Sequence, residues 1–171
     1  MSNLSLVYKH TDSYKLTGYC GADYAGDRIE RKSTSGGCHF IGRNLISWAS
    51  KKQNSIALST AEVEYISAAS CCSQLLWVKY QLEDYSLFEN HIPVLCDNTS
   101  AINLSKNPIQ HSRAKHIEIR HHFIRDYVQK GVFDVKFADT MHQWEDIFTK
   151  PLAEDRFAFI REHLGMHEVD A

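Results

Sequence analysis

The sequence has few of the residues and patterns that divide a chain or carry it into a membrane. Only 3 prolines and 8 glycines occur among 171 residues, so no linker is evident and the length suits a single domain. There is no run of about 18 apolar residues and no basic leader before an apolar stretch, so we expect neither a membrane span nor a secretion signal. These absences predict an intracellular protein, cytoplasmic or nuclear, with no membrane partner.

An excess of charge of one sign is also lacking. The formal net charge is −2 at pH 7, so any contact with nucleic acid must depend on a local patch rather than on a global basic field. The 5 cysteines are an odd number and lie in apolar or small-residue surroundings. This pattern favours buried, reduced thiols over a set of disulfides.

What is present is a series of alternating and amphipathic segments in a composition that is 43% apolar. The predicted strands are 14–23, 38–41, 45–48, 94–96 and 132–137, and the predicted helices are 60–84, 100–105, 117–130 and two late ones, 144–150 and after Pro151. This order predicts an α/β domain with a mixed five-stranded sheet, three antiparallel strands and then parallel additions, flanked by helices. The domain is expected at residues 14–165, with a loose N-terminal arm at 1–13 and a C-terminal tail at 166–171.

Four carboxylates fall near the ends of these segments. Asp97 directly follows the strand 94–96, where ligands bind in open α/β sheets, although capping of the next helix is an equally good interpretation. Asp23 lies near the end of the first strand, Glu64 in the first turns of the first helix and Asp146 at the start of a late helix. Carboxylates that meet at one edge repel one another, so such a group makes physical sense with Mg²⁺ bound. Separate, solvated surface acids are the alternative.

Seven blocks of the sequence resemble the ribonuclease H domain of copia-type plant retrotransposon polyproteins. They occur in the family's order and span roughly residues 14–165. The blocks are 18–27 (GYCGADYAGD), 31–37 (RKSTSGG), 46–53 (ISWASKKQ), 57–65 (ALSTAEVEY), 96–102 (CDNTSAI), 111–120 (HSRAKHIEIR) and 146–152 (DIFTKPL).

The resemblance implies an RNase H-like fold, cleavage of the RNA strand of RNA/DNA hybrids with two Mg²⁺ or Mn²⁺ ions, and no small-molecule substrate. Glu64, Asp97 and Asp146 match three of the family's four catalytic, metal-binding carboxylates. Glu64 is chosen over Glu62 because the family's ligand is the glutamate just before Tyr65. The two glutamates lie about 200° apart around a helix, so both cannot face one site.

The fourth position departs from the family's pattern. Gly21 stands where the family has the aspartate that is expected to bridge both metals. Asp23 is a possible substitute as a metal ligand, but two residues along a strand displace it by about 6.6 Å, so a bulge at Gly21 would be needed. We therefore expect one bound ion or none, and weakened or lost cleavage. The alternatives are a dead copy, or a host-retained pseudo-RNase H that binds nucleic acid or a protein partner.

Several polar and basic side chains are candidates for contact with a phosphate backbone, with an ordinary solvated face as the alternative. These are Lys51, Lys52, Gln53, Asn98, Arg113, Lys115 and Arg120. His142 is a weak candidate for proton transfer or product release, and a plain loop histidine is the alternative. Trp48, Trp77 and Trp144 lie in apolar runs and are expected in or near the core.

Overall fold

The computed structural model describes residues 3–106 and 115–169, and in the second range the side chains from 122 onward. In chain order the elements are β1 (Leu4–Leu6), β2 (Leu16–Asp23), β3 (Thr34–Ile41), β4 (Asn44–Lys52), α1 (Thr60–Asp84), β5 (Ile92–Cys96), α2 (Thr99–Lys106), α3 (Lys115–Gln129), β6 (Phe133–Phe137), α4 (Glu154–His163) and β7 (Met166–Glu168). Two short 3₁₀ helices, Thr140–His142 and Trp144–Phe148, lie between β6 and α4. The predicted helix 60–84 coincides with α1, which begins where the Ser59 hydroxyl accepts a bond from the Glu62 N–H at 3.2 Å.

The strands β2 to β6 form one five-stranded sheet in the order β4-β3-β2-β5-β6. β3 is antiparallel to both β2 and β4, whereas β5 runs parallel to β2 and β6 parallel to β5. Cys20 pairs with Cys96, so the carboxyl ends of β2 and β5 lie side by side at one edge of the sheet. The predicted α/β class and the mixed five-stranded sheet are therefore confirmed.

Apolar side chains cover both faces of this sheet. Tyr19 and Cys20, successive residues of β2, belong to two different buried clusters, as the alternation of a strand requires. The cluster around Cys20 includes residues of α1, α2 and α3, and the cluster around Tyr19 includes residues of α4 and of the Trp144–Phe148 3₁₀ helix. A Cβ on Gly18 would stand 2.6 Å from Leu75 Cδ1 and 2.7 Å from Cys71 Sγ, so a glycine is needed for α1 to pack this closely on β2.

The two ends of the chain pair with each other. β1 and β7 form a separate two-stranded antiparallel ribbon in which Leu4 is opposite Glu168 and Leu6 opposite Met166. The expectation of a loose arm at one end and a tail at the other therefore does not hold for these strand residues, which pair with each other. Three-residue strands are too short to show a periodic pattern, and each of these two is held by a partner that is distant in sequence.

Two further expectations differ from the structure. The segment 144–150 is not an α-helix, because the Thr149 N–H bonds to Asp146 O at 3.0 Å in 3₁₀ fashion and Pro151 has no N–H with which to continue. Trp48 and Trp77 are 49% and 58% exposed, whereas Trp144 is buried. An apolar run in a strand or helix still turns some of its side chains to solvent, which the run alone does not reveal.

All five cysteines are buried and free, as their odd number and surroundings indicated. Among the residues that the structure describes, no helix combines the length and the apolar character needed to cross a membrane.

Candidate active site

Asp97 lies at the carboxyl end of β5 and does not cap the helix that follows. The cap is Asn98, whose Oδ1 accepts a hydrogen bond from the Ala101 N–H at 3.0 Å. Asp97 Oδ1 is buried and has no hydrogen-bond partner among the described residues. Burial, together with the charge of Asp146, raises the pKa of Asp97. The helix-capping interpretation of Asp97 is therefore replaced by one in which this carboxylate faces other acids.

Glu64 projects from the first turns of α1 to the end of β2. It is 6% exposed, and its Oε1 accepts a hydrogen bond from the Ala22 N–H at 3.1 Å. Burial first, and then the charge of Asp97, raises the pKa of Glu64 to about 9. Glu62 points elsewhere, because its Oε2 accepts a hydrogen bond from the Leu58 N–H at 2.9 Å, before the start of α1. Of the two glutamates, only Glu64 therefore lies at the sheet edge.

Ser67 fixes the helix turn that carries Glu64. Its hydroxyl is buried and lies 2.7 Å from Gly21 O and 3.2 Å from Gly36 O, as the donor in each case. These two carbonyls belong to paired residues of β2 and β3. The bond therefore joins α1 to the ends of both strands, one turn after Glu64.

Asp146 reaches the same edge from the Trp144–Phe148 3₁₀ helix. Its residue exposure is 8%, and its Oδ1 forms an ion pair with Lys150 Nζ at 2.8 Å. Burial lowers the pKa of Lys150, but the bond to Asp146 and the charges of Asp97 and Asp23 outweigh this effect and raise it. Lys150, which the sequence analysis did not single out, therefore supplies positive charge to the acidic edge.

The structure brings Glu64, Asp97 and Asp146 together but leaves a gap at Gly21. β2 pairs with β3 residue by residue through Gly21 and Asp23, without the bulge that a substitution by Asp23 would need. The Asp23 carboxylate turns toward the β2–β3 connection, where Oδ2 occupies the position that a Cβ on Gly26 would take. A ligand role for Asp23 stays a prediction that this geometry does not favour.

A carboxylate that the sequence analysis missed lies in front of Gly21. A Cβ built on Gly21 would stand 3.1 Å from both Cγ and Oε1 of Glu145. Glu145 is 1% exposed, and burial, reinforced by the charges of Asp146 and Asp97, raises its pKa to about 8. The only signal for Glu145 in the sequence is that it is an acid next to Asp146 in an apolar segment. That signal is weak, because the side chains of adjacent residues in an α-helix or a strand point in different directions.

The carboxylate oxygens at this edge are suitable ligands for a hard cation, although they are not arranged around a common point. Among the described residues, no three His, Cys, Asp or Glu side chains are arranged to hold a metal ion. Three carboxylate oxygens are nevertheless buried without a hydrogen-bond partner in the described part of the chain: Glu64 Oε2, Asp97 Oδ1 and Glu145 Oε2. Buried carboxylates of this kind require a proton or a cation, and an all-oxygen set is what Mg²⁺ and Mn²⁺ prefer. Side-chain rotations would have to bring these oxygens to a common ion.

The residues predicted to contact nucleic acid differ in their availability. Lys51 is exposed at the end of β4, whereas Lys52 is paired with Asp27 and, at 3.0 Å, with Glu30 Oε2. Gln53 is 6% exposed and donates to Ser35 Oγ at 2.8 Å and Val63 O at 3.1 Å, so it joins β3, β4 and α1 rather than presenting a surface.

The remaining predicted site residues are Asn98, His142 and three basic residues. Asn98 is engaged as the α2 cap. Arg113 and the side chains of Lys115 and Arg120 lie outside the described residues. His142 is exposed at the end of the first 3₁₀ helix, with Nδ1 2.6 Å from Asp139 Oδ1, and its role in proton transfer or product release stays a prediction.

Comparison with known sequences finds relatives among plant transposons. The chain is 40% identical over 152 residues to the retrovirus-related Pol polyprotein from transposon TNT 1-94 of Nicotiana tabacum, and 39% identical over 165 residues to that from transposon RE2 of Arabidopsis thaliana. The matches cover 89% and 96% of this chain. They cover 11% of each relative, so the chain spans about a tenth of the length of these curated proteins. No protein-family model matches the chain.

Comparison with solved structures identifies the fold. The N-terminal RNase H domain of Rv2228c from Mycobacterium tuberculosis superposes with a TM-score of 0.57 at 8% identity, over 88% of this chain and 98% of that domain. LC11-RNase H1, solved in complex with an RNA/DNA hybrid, gives 0.54 at 10% identity over 75% of this chain and 88% of the other. The protease-reverse transcriptase of prototype foamy virus gives 0.54 at 12% identity over 92% of this chain and 22% of the other. At these identities the likeness concerns the fold alone, which is RNase H-like.

Proposed function

We propose that this chain, which belongs to the RNase H-like domains of copia-type plant retrotransposon Pol polyproteins, binds RNA/DNA hybrids and hydrolyses their RNA strand slowly, with Mg²⁺ or Mn²⁺ as cofactor. The observation that supports the proposal is the meeting of Glu64, Asp97 and Asp146 at one sheet edge, from three distant parts of the chain. Glu64 and Asp97 each have a buried oxygen without a partner in the described part of the chain, and such oxygens are suited to a cation. The 38–40% identity to Pol polyproteins supports the same conclusion.

Each acid has a distinct means of support. The Ala22 N–H orients Glu64 Oε1 and leaves Oε2 for a ligand. Asp97 follows the rigid end of β5, and its neighbour Asn98 takes over the capping of α2. Lys150 holds Asp146 by an ion pair at 2.8 Å. Glu64, Asp97 and Asp146 would hold the ions, and bound ions would supply activation of the attacking water and stabilisation of the leaving 3′ oxygen.

Slow rather than efficient cleavage is proposed because β2 carries no acid at Gly21. The regular β2–β3 pairing keeps Asp23 two residues away, and the Asp23 carboxylate faces Gly26. An ion at this edge would therefore lose the oxygen that the strand supplies in the family's pattern.

Contact with the hybrid is proposed to involve Lys51, which is exposed at the end of β4, with a lesser share from the ion-paired Lys52. Arg113, Lys115 and Arg120 stay predicted contacts. A similar fold is known in complex with an RNA/DNA hybrid, that of LC11-RNase H1, which supports this partner class. An intracellular location and the absence of a membrane or small-molecule partner also remain predictions.

The test compares cleavage of a hybrid with a labelled RNA strand by four forms of the domain, in Mg²⁺ and in Mn²⁺. They are the wild type, Gly21→Asp, the pair Gly21→Asp with Glu145→Ala, and Asp97→Asn as the control for contaminating nuclease. The pair is included because the new Cβ would lie 3.1 Å from Glu145 Oε1. We expect wild-type cleavage slightly above that of Asp97→Asn, and an increase of at least about tenfold in the pair.

Two results would contradict this proposal. If the wild type and the double variant Gly21→Asp with Glu145→Ala cleaved the hybrid equally fast, the wild-type site would not be impaired. Wild-type cutting that Asp97→Asn does not reduce would exclude this edge as the catalytic site.

A pseudo-nuclease that binds without cutting is the second candidate. It is favoured by the ion pair between Lys150 and Asp146, which already neutralises one acid of the site. Its signature would be hybrid binding that weakens steeply with salt, with no cleavage by the wild type. Absence of hybrid binding would instead favour a protein partner.

A further inference from the structure

We propose that Glu145 supplies the fourth carboxylate of the metal site, reaching from the 3₁₀ helix into the space that the missing side chain of Gly21 leaves open. The inference rests on the proposed function, because it assumes that a divalent cation binds beside Glu64, Asp97 and Asp146. It assigns a ligand to a residue that neither the family's pattern nor the sequence analysis indicated.

The first support is the position of Glu145 relative to Gly21. Cγ and Oε1 of Glu145 lie 3.1 Å, and Cδ 3.6 Å, from where a Cβ on Gly21 would stand. The carboxylate therefore occupies the volume into which an aspartate on the strand would project. No movement of β2 is needed, because the oxygen comes from the opposite side of the gap.

The second support is the way in which the backbone of Glu145 is held. Gly36 pairs with Gly21, and a Cβ on Gly36 would stand 3.0 Å from Glu145 O and 2.5 Å from Thr149 Cγ2. The two opposed glycines thus form a trough in the sheet in which the 3₁₀ helix lies. This close approach directs the side chain of Glu145 across Gly21.

The third support is an unsatisfied buried oxygen. Glu145 is 1% exposed, and its Oε2 has no hydrogen-bond partner among the described residues. The carboxylate lies close enough to the other acids for its charge to act on Glu64, and for the charges of Asp97 and Asp146 to act on it. A buried carboxylate with one oxygen that lacks a donor among the described residues, in the field of three other acids, is stabilised by a cation.

The alternative is that Glu145 is an uncharged packing residue that simply fills the trough. Glutamine has the same shape and no charge, so it can replace a packing residue but not an anionic ligand. The variant Glu145→Gln therefore separates the two roles without opening a cavity.

The experiment measures Mn²⁺ binding to the metal-free domain by isothermal titration calorimetry, and by the loss of the free-ion signal in electron paramagnetic resonance. The variants are Glu145→Gln, the matched exposed control Glu154→Gln and Asp97→Asn. Circular dichroism and thermal unfolding in chelator verify that each variant is folded. We expect Glu145→Gln to weaken Mn²⁺ binding by at least about tenfold, as Asp97→Asn does, and Glu154→Gln to leave it unchanged.

A second arm moves the carboxylate back to the strand. Glu145→Ala alone is expected to bind Mn²⁺ weakly, and Gly21→Asp added to Glu145→Ala is expected to restore at least wild-type affinity. This recovery would show that a carboxylate from either position can complete the metal site.

The outcomes distinguish the two proposals. Unchanged Mn²⁺ affinity in a folded Glu145→Gln, with a loss in Asp97→Asn, would overturn the role of Glu145 and leave the proposed metal site intact. Failure of the wild type to bind Mn²⁺ at millimolar concentration would overturn both. Hybrid binding measured in chelator would then report separately on the nucleic-acid part of the proposed function.

Discussion

Ser67 offers a sharp test of how the fold positions Glu64. The change is Ser67→Ala, which removes a buried hydroxyl that reaches Gly21 O at 2.7 Å and Gly36 O at 3.2 Å. One hydroxyl proton can serve only one carbonyl at a time, and the shorter distance identifies Gly21 O as the main acceptor. Ser67→Ala leaves no hydroxyl proton for either strand end.

The expected loss follows from the burial of these groups. A net hydrogen bond contributes about 1 kcal/mol, and a buried carbonyl left without its donor adds about 1 kcal/mol or more, so we expect a destabilisation of about 2 kcal/mol. Ser73→Ala is the matched control, because among the described residues the Ser73 hydroxyl bonds to Ala69 O of the same helix, at 2.9 Å. That change is expected to alter stability by less than about 0.5 kcal/mol.

The assay is urea unfolding at equilibrium in chelator, followed by calorimetry with Mn²⁺. Ser67→Ala should lower the free energy of unfolding and also weaken Mn²⁺ binding, because the turn of α1 that carries Glu64 loses its attachment to β2 and β3. Ser67→Cys keeps a weak donor, so its free energy of unfolding and its Mn²⁺ affinity should lie between those of the wild type and Ser67→Ala. Equal stability of Ser67→Ala and Ser73→Ala, or a stability loss without any change in Mn²⁺ binding, would refute this reasoning.

Two other changes test the charges inside and beside the core. Burial lowers the pKa of His39 to about 4 from its ordinary 6.5. As the pH falls, the unfolded chain therefore takes up a proton before the folded chain does, and about 3 kcal/mol of stability should be lost between pH 6.5 and pH 4. His39→Leu should abolish this loss, as measured by urea unfolding at pH 7 and pH 4.5, and an unchanged acid sensitivity would contradict it. Lys150→Met removes the positive charge beside Asp146, so Mn²⁺ affinity in calorimetry should rise about fivefold; a weaker affinity would mean that Lys150 supports the cation rather than competing with it.

The regular elements could be predicted because their signals are local. Ser59 and Thr60 mark the start of α1, and the Asn98 amide caps α2 as its residue type suggests. The end of β5 at Cys96 is also a local feature, and it marks Asp97 as a candidate site residue. The sequence did not resolve whether Asp97 or Asn98 is the cap, because both residue types serve that role equally well.

Features that depend on distant partners were missed or misjudged. The apolar runs around Trp48 and Trp77 suggested burial, yet in the described part of the chain both side chains are about half exposed. Lys52, a predicted phosphate contact, is ion-paired with Asp27 and Glu30, which its position in the sequence does not indicate. In both cases the surroundings of a side chain come from another part of the chain.

By itself the sequence determined the α/β class, the order of the elements and the identity of three acids at the ends of those elements, because caps, periodicity and strand ends act over a few residues. Only the tertiary structure decided which carboxylate faces the gap at Gly21. Asp23 is two residues away along the strand and turns toward Gly26, while Glu145, 124 positions further along the chain, is pressed across the gap by the packing of a 3₁₀ helix on two opposed glycines. Contacts between such distant positions depend on the packing of whole elements, which no local pattern records.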